Sequence, residues 1–233
     1  MSKPLVVVES PTKVRTIKKY LGSDYKVAAT VGHIKDLPNK EMGIDVEDGF
    51  KPKYQYIPGK QKIVKRLKQA AGDTHDVYLA PDPDREGEAI AWHTADVLKK
   101  KGRNFYRVLF HELTKDSVRK AMASPEVLDR SKYEAQQARR ILDRLVGYQV
   151  SPLLWRKVKG GLSAGRVQSV AVRIICERER AIQAFVSEEY WSITAHLNSD
   201  VPPPFAAKLV KKDLEKVKIP HAKAADQILK ELN

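Results

Sequence analysis

Leu5-Val6-Val7-Val8-Glu9-Ser10-Pro11 decides the fold class. Four consecutive apolar residues, three of them β-branched, read as a short strand buried on both faces, as strands of a parallel sheet are. Ser10 is a natural helix N-cap, and Pro11 suits the first helical position, where an N–H has no intrahelical partner anyway. The spacing predicts a helix to about Leu21, stopped by Gly22. Beyond it, Tyr25–Thr30 reads as a second strand and Val31–Pro38 as a loop. Residues 39–58 read as irregular, because Gly43, Gly49, Pro52 and Pro58 break every period. Helical spacing returns over Gln61–Ala71, then a strand over Asp76–Ala80. Pro81–Glu86 turns into a helix to about Lys101, Phe105–Phe110 is a strand, and Lys115–Ala123 a helix. Strand and helix alternating in this way predict an α/β domain with a mainly parallel sheet flanked by helices.

After about Arg130 the pattern turns helical. Ala138, Ile141, Leu142, Leu145, Val146 and Gln149 trace a stripe at helical spacing that is expected to face inward. A turn at Gly160-Gly161 leads to a long helix over roughly Ala164–Phe185, with Val167, Val170, Ala171, Ile174 and Ile175 expected inward and Cys176 packed beside them. Tyr190–Leu197 begins a strand region, Pro202-Pro-Pro204 interrupts it, and Ala222–Leu232 reads as a short helix.

The 233 residues are 42% hydrophobic and 31% charged, enough for a packed core and far from a disordered composition. Lysine and arginine total 43 against 29 acids, a net +14, which points to a polyanionic partner, nucleic acid before anionic lipid. No apolar run reaches the roughly 18 residues a membrane span needs. A single cysteine excludes an internal disulfide framework and a multi-cysteine zinc site. Without a signal-peptide pattern at the start, the expected compartment is cytoplasmic. The charge is uneven: from Ser131 to Phe185 there are 11 lysines and arginines against 4 acids.

The densest acidic cluster lies elsewhere, in Asp82-Pro-Asp84-Arg-Glu86-Gly-Glu88, after a strand and at the start of a helix. Ligands of parallel α/β sheets gather beyond the carboxyl ends of the strands. Glu9, which ends another apolar strand, should project from the same edge. Carboxylates converging there repel one another unless a cation neutralises them, and hard oxygen donors suit Mg²⁺. The plainer reading is a set of solvated turn carboxylates with a helix cap and favourable charges in the first turn.

At this point the residues resemble a known family. Glu9-Ser-Pro-x-Lys13, Gly32-His33-Ile-x-Asp36-Leu-Pro38 and Asp82-x-Asp84-Arg-Glu86-Gly-Glu88 are similar to the Toprim domain of type IA DNA topoisomerases. Phe110-His-Glu-Leu-Thr114 resembles the segment that follows it. Gln137-Ala-Arg139-Arg140-Ile-Leu-Asp143-Arg144-Leu-Val-Gly-Tyr148 and Leu162-Ser163-Ala164-Gly165-Arg166-Val167-Gln168-Ser169 resemble the start of the adjoining helical domain. The resemblance implies a Toprim domain over 1–125, a helical DNA-binding region over 126–187, and over 188–233 the beginning of a β-containing arch, cut short. Topoisomerase III and reverse gyrase carry the later motifs in looser form. Primases or nucleases with a Toprim domain account for the acids but not for those motifs.

The resemblance also implies roles. Glu9 coordinates metal and transfers a proton, Asp82 and Asp84 bind Mg²⁺, Glu86 supports them, and Lys13 meets phosphate. His33, Arg139, Arg140, Asp143, Tyr148, Trp155 and residues Ser163 to Gln168 line the path of single-stranded DNA. Each has an ordinary alternative. Lys13 could be a solvated lysine and His33 a loop residue. Arg139 and Asp143 could be an intrahelical pair, and Tyr148 and Trp155 core aromatics. Residues 163–168 could be a simple helix cap. Type IA enzymes cut one strand by attack of a tyrosine hydroxyl, forming a 5′-phosphotyrosine link, in a motif resembling Tyr-x-Arg-Thr-Asp-Ser. None of the nine tyrosines here precedes Arg-Thr-Asp-Ser. The expectation is therefore an N-terminal portion of a longer, nucleoid-associated polypeptide whose remainder supplies the nucleophile. A non-enzymatic nucleic-acid-binding module, with purely structural acids, is the alternative.

Overall fold

The computed structural model describes residues 2–198 and 203–232. It divides into two compact units, Met1–Ser169 and Val170–Asn233. In chain order the first holds β1 (Leu5–Val8), α1 (Pro11–Leu21), β2 (Lys26–Ala29), β3 (Lys35–Asp36), β4 (Ile44–Asp45), β5 (Lys51–Pro52), β6 (Gln55–Tyr56), α2 (Gln61–Ala71), β7 (Asp76–Leu79), α3 (Arg85–Leu98), β8 (Asn104–Arg107), α4 (Lys115–Ala123) and α5 (Arg130–Lys157). Helix α6 (Arg166–Gln183) runs across the division.

A four-stranded parallel sheet, ordered β2-β1-β7-β8, organises the first unit. Central β1 is buried on both faces, as its unbroken apolar run predicts. Leu5 and Val7 join Leu67, Val77, Leu79 and Leu98 on one side, against α2 and α3. Val6 and Val8 join Ile17, Val118 and Met122 on the other, against α1 and α4. Each such side chain contributes about 1.5–3 kcal/mol by leaving water.

The helix starts follow the caps. Ser10 accepts from the Lys13 amide, Asp84 from Gly87, Thr114 from Ser117 and Asp129 from Lys132. Residues 39–58, expected to be irregular, take part in two antiparallel pairs, β3 with β6 and β4 with β5. Two-residue strands leave no periodicity to read.

Helix α5 reverses an expectation. The face buried against the sheet domain carries Gln136, Arg144 and Ser151, while Leu142 of the apolar stripe is exposed. Directed polar contacts, rather than apolar burial, dock this helix. Arg140 forks onto Asp36 at 2.8 and 2.7 Å, and Arg144 donates to the carbonyls of Pro38 and Glu41. Trp92 and Tyr133 stack between α3 and α5, their ring centroids 4.8 Å apart.

The expected inward stripe of α6 is exposed as well, Ile175 by 67%, and Cys176 is exposed rather than packed. The second unit continues with β9 (Thr194–Leu197) paired antiparallel to β10 (Phe205–Lys208), β11 (Lys211–Lys212) paired to β12 (Glu215–Lys216), and α7 (Ala222–Leu232). Ile219 and Ala225 are its buried apolar residues. The interruption expected at residues 202–204 lies partly outside the described residues. No helix among the described residues is long and apolar enough to cross a membrane.

Candidate active site

Strands β1 and β7 are parallel neighbours, so their carboxyl ends share one edge. Glu9 follows the first, and Asp82 lies three residues past the second. The two carboxylates meet on one cation: Lys13 Nζ pairs with Glu9 and lies 2.5 Å from Asp82 Oδ1. Partial burial opposes the Lys13 charge, but the hydrogen bonds and charges of Asp82 and Glu9 outweigh it and hold the pKa above the ordinary lysine value. Glu9 Oε2 is buried with no hydrogen-bond partner.

The other acids face differently. Asp84 caps α3 by accepting from the Gly87 amide at 2.7 Å. Glu86 turns to the neighbouring cleft, where its Oε2 lies 3.3 Å from His33 Nε2 and accepts from Gln136 at 3.2 Å. Among the described residues no three acidic, histidine or cysteine side chains are grouped closely enough to hold an ion. Glu9 and Asp82 nonetheless form a hard-oxygen pair already brought to one positive charge, with an unsatisfied oxygen on Glu9.

Sequence reasoning missed what fixes this loop. Arg107, in β8, is 1% exposed and donates through Nε to Glu88 at 2.7 Å. Its remaining N–H groups reach the carbonyls of Leu79, Pro81, Asp82 and Val108. The other oxygen of Glu88 accepts the Asp129 amide at 2.8 Å, which ties the start of α5 to the acidic loop. An arginine within the apolar strand Phe105–Phe110 was the available signal.

The basic surface lies alongside. Asp143 stands between Arg139, one turn away on the same helix at 3.9 Å, and Arg166, at 3.5 Å. Arg140, expected on DNA, is engaged with Asp36. Tyr148 donates to the Asn39 carbonyl at 2.6 Å and lies under the Arg144 guanidinium. Trp155 is half exposed and donates to the Leu162 carbonyl. Of residues 163–168, Ser163 accepts from Gln168 and the Ala164 amide is taken by Ser151, while α6 starts at Arg166. Gly165 and Val167 flank that start, Val167 exposed. Together Arg140, Asp143, Tyr148, Trp155, Ser163 and Ala164 border a groove of about 680 Å³.

Two titrating groups beside this surface set an acid limit. Burial, above all, lowers the His93 pKa to about 4, helped by the charges of His33 and Lys35. Burial works against the Asp36 charge, but Arg140 and the Leu37 amide hold its pKa below the ordinary carboxylate value. As pH falls from about 6.5 to about 4 the unfolded chain protonates His93 before the folded one does, so stability should drop by about 3 kcal/mol and then level off. Stability from Asp36 is present above its unfolded value and lost as pH falls through its lower folded value. Urea midpoints across pH 7 to 4 should flatten in His93→Gln; an unchanged slope would remove His93 as the cause.

Residues 4–113 match the Toprim domain family, and residues 127–233 match the DNA topoisomerase family. The chain belongs to the type IA DNA topoisomerases. The fold is similar to full-length topoisomerase I from Thermotoga maritima, with a TM-score of 0.75 and 43% identity. That likeness covers 96% of this chain and 37% of the other, so the chain spans a little over a third of that relative.

Proposed function

We propose that this chain is the metal-binding and strand-holding part of a type IA topoisomerase, which relaxes negatively supercoiled DNA by transient cleavage of one strand. The observation that carries the proposal is the convergence of Glu9 and Asp82 on one cation at adjacent strand ends. Their oxygen chemistry suits Mg²⁺, with Asp84 two residues on as a further donor. When bound, Mg²⁺ would neutralise the acids and polarise a phosphate oxygen. Glu9 would exchange a proton with the departing 3′ oxygen, and Lys13, one turn into α1, would meet phosphate at a helix N-terminus. Glu86 orients His33 at the rim. The residues 1–125, 126–187 and 188–233 then serve as Toprim domain, strand-binding helices and start of the arch.

Arg139, Arg166 and His33 would hold the phosphates of a single strand, with Tyr148 and Trp155 beside the groove for unpaired bases. The nucleophilic tyrosine would come from polypeptide beyond these residues, and the 233-residue chain alone is expected not to relax supercoiled DNA. The rival reading, a binding module with structural acids, has the Asp84 cap in its favour.

Salt dependence tests the strand surface. Each phosphate contact adds about −0.7 to the slope of log affinity against log salt on single strands. Arg139→Ala with Arg166→Ala should flatten the slope by roughly one to one and a half. An unchanged slope would place these arginines off the strand.

A further inference from the structure

The most one-sided charge in the chain lies outside both the acidic loop and the groove. From Lys51 to Gly72 there are seven lysines and arginines and no acid, half of the net +14 in about a tenth of the length. Five of them are Lys60, which caps α2, and Lys62, Lys65, Arg66 and Lys68 within it. Val64, Leu67 and Ala71 hold the helix against the sheet, and Lys62, Lys65 and Arg66 are left exposed on the outer face. Among the described residues none of the five forms an ion pair, and Lys60 donates instead to the Val31 carbonyl. Acids on neighbouring segments already have cations: Asp48 pairs with Lys51, Asp73 with Lys100 and Asp96 with Lys35.

This pattern does not serve the helix. A helix gains from acids in its first turn and from opposite charges one turn apart. Helix α2 has no acid in its first turn and no side-chain cap. Lys62 with Arg66, and Lys65 with Lys62 and Lys68, instead put like charges at the spacings i, i+4 and i, i+3, where they repel. A polyanion laid on this face would relieve that repulsion. The position of the helix is also informative. Only Gly72–His75 link α2 to β7, so α2 runs back antiparallel to that strand and begins at the edge where β1 and β7 end. Its start is tied beside the loop that carries His33, through Lys60 on the Val31 carbonyl and the Ile57 amide on the Ile34 carbonyl. From there the cationic face leads away from the acidic edge for about 16 Å, the length of about five base pairs.

We infer that the outer face of α2 binds the phosphate backbone of duplex DNA flanking the single-stranded segment. A duplex offers one charge per about 1.7 Å of its axis, the denser partner for a row of cations. Single strands are bound through aromatic rings on which bases stack, and α2 has none. Tyr56, on the flank of the helix, already carries Lys35 Nζ over its ring at 5.5 Å. Contacts to phosphates alone position a duplex without reading its sequence. The surface lies beyond the strand-holding groove and rests on that reading only for the choice of DNA as the polyanion.

The test measures the affinity of the full chain for a short blunt duplex by fluorescence anisotropy over a series of salt concentrations. Each phosphate contact adds about −0.9 to the slope of log affinity against log salt on duplex DNA. Lys62→Gln with Lys65→Gln and Arg66→Gln removes three exposed cations at little change in helix propensity. It should flatten the slope by about two to three. Lys115→Gln with Arg119→Gln and Lys120→Gln removes the same charge from exposed positions of α4, on the opposite side of the sheet, and should leave the slope near that of wild type. Three results would overturn the inference: an unaltered slope in the α2 variant, equal flattening in the α4 variant, or a wild type that binds phosphatidylserine vesicles and not the duplex. Failure of the groove reads out separately, because Arg139→Ala with Arg166→Ala should weaken binding of a single-stranded oligonucleotide and leave the α2-dependent slope on the duplex in place. A chain that binds no single strand yet keeps that slope would support the α2 surface and count against the groove.

Discussion

Arg107→Ala is expected to lower the free energy of unfolding by about 3–5 kcal/mol, the usual cost of stranding one partner of a buried ion pair. Glu88 would be left buried without its partner, and four carbonyls would lose a donor. Urea denaturation measures the loss. Removing the stranded charge as well, in Arg107→Ala with Glu88→Leu, should recover part of it, because the penalty lies in the unpaired carboxylate more than in the missing attraction. The double variant still frees the Asp129 amide, so recovery should be incomplete. A single variant within 1 kcal/mol of wild type, a threshold well below that range, would mean that the buried pair does not anchor the loop.

Gly87→Ala is the second large effect. A Cβ at this position would lie 2.0 Å from the Asp82 carbonyl oxygen and 2.9 Å from its carbon and nitrogen. These are backbone atoms, so no side-chain rotation relieves the clash. The acidic loop or the first turn of α3 must move, at a cost of about 3 kcal/mol or more. The displacement falls on Asp82, so the separation of its carboxylate from Glu9 should change too. Gly160→Ala is the control, since nothing lies within 4 Å of its added carbon; its thermal midpoint should match wild type. Equal midpoints for both variants would show that the loop yields freely.

The parts of this fold legible in the sequence are those governed by apolar burial and by caps. The run Leu5–Val8 announces a strand buried on two faces, and Ser10, Asp84 and Thr114 announce helix starts. Because parallel neighbours end at one edge, the meeting of Glu9 and Asp82 could also be read. Hydropathy misled at α5, where Arg140 and Arg144 do the docking and Leu142 is left to solvent. A guanidinium satisfied by a carboxylate and loop carbonyls packs as a core residue does, yet carries the letter of a surface one. The burial of Glu88 against Arg107 escapes the sequence for the same reason. The direction of Glu86 depends on His33 and Gln136, which come from distant segments, so no local pattern could give it. Exposure of the α6 stripe is likewise set by what lies around the helix, not by its own spacing.

The most direct measurement is a calorimetric titration of Mg²⁺ into the chain in the presence of a short single-stranded oligonucleotide. The wild type should give a saturable heat signal, and Asp82→Asn with Asp84→Asn should abolish it while the fold is retained. A wild type without that signal, or a variant that binds Mg²⁺ as tightly as the wild type, would contradict the assignment of these carboxylates to a metal.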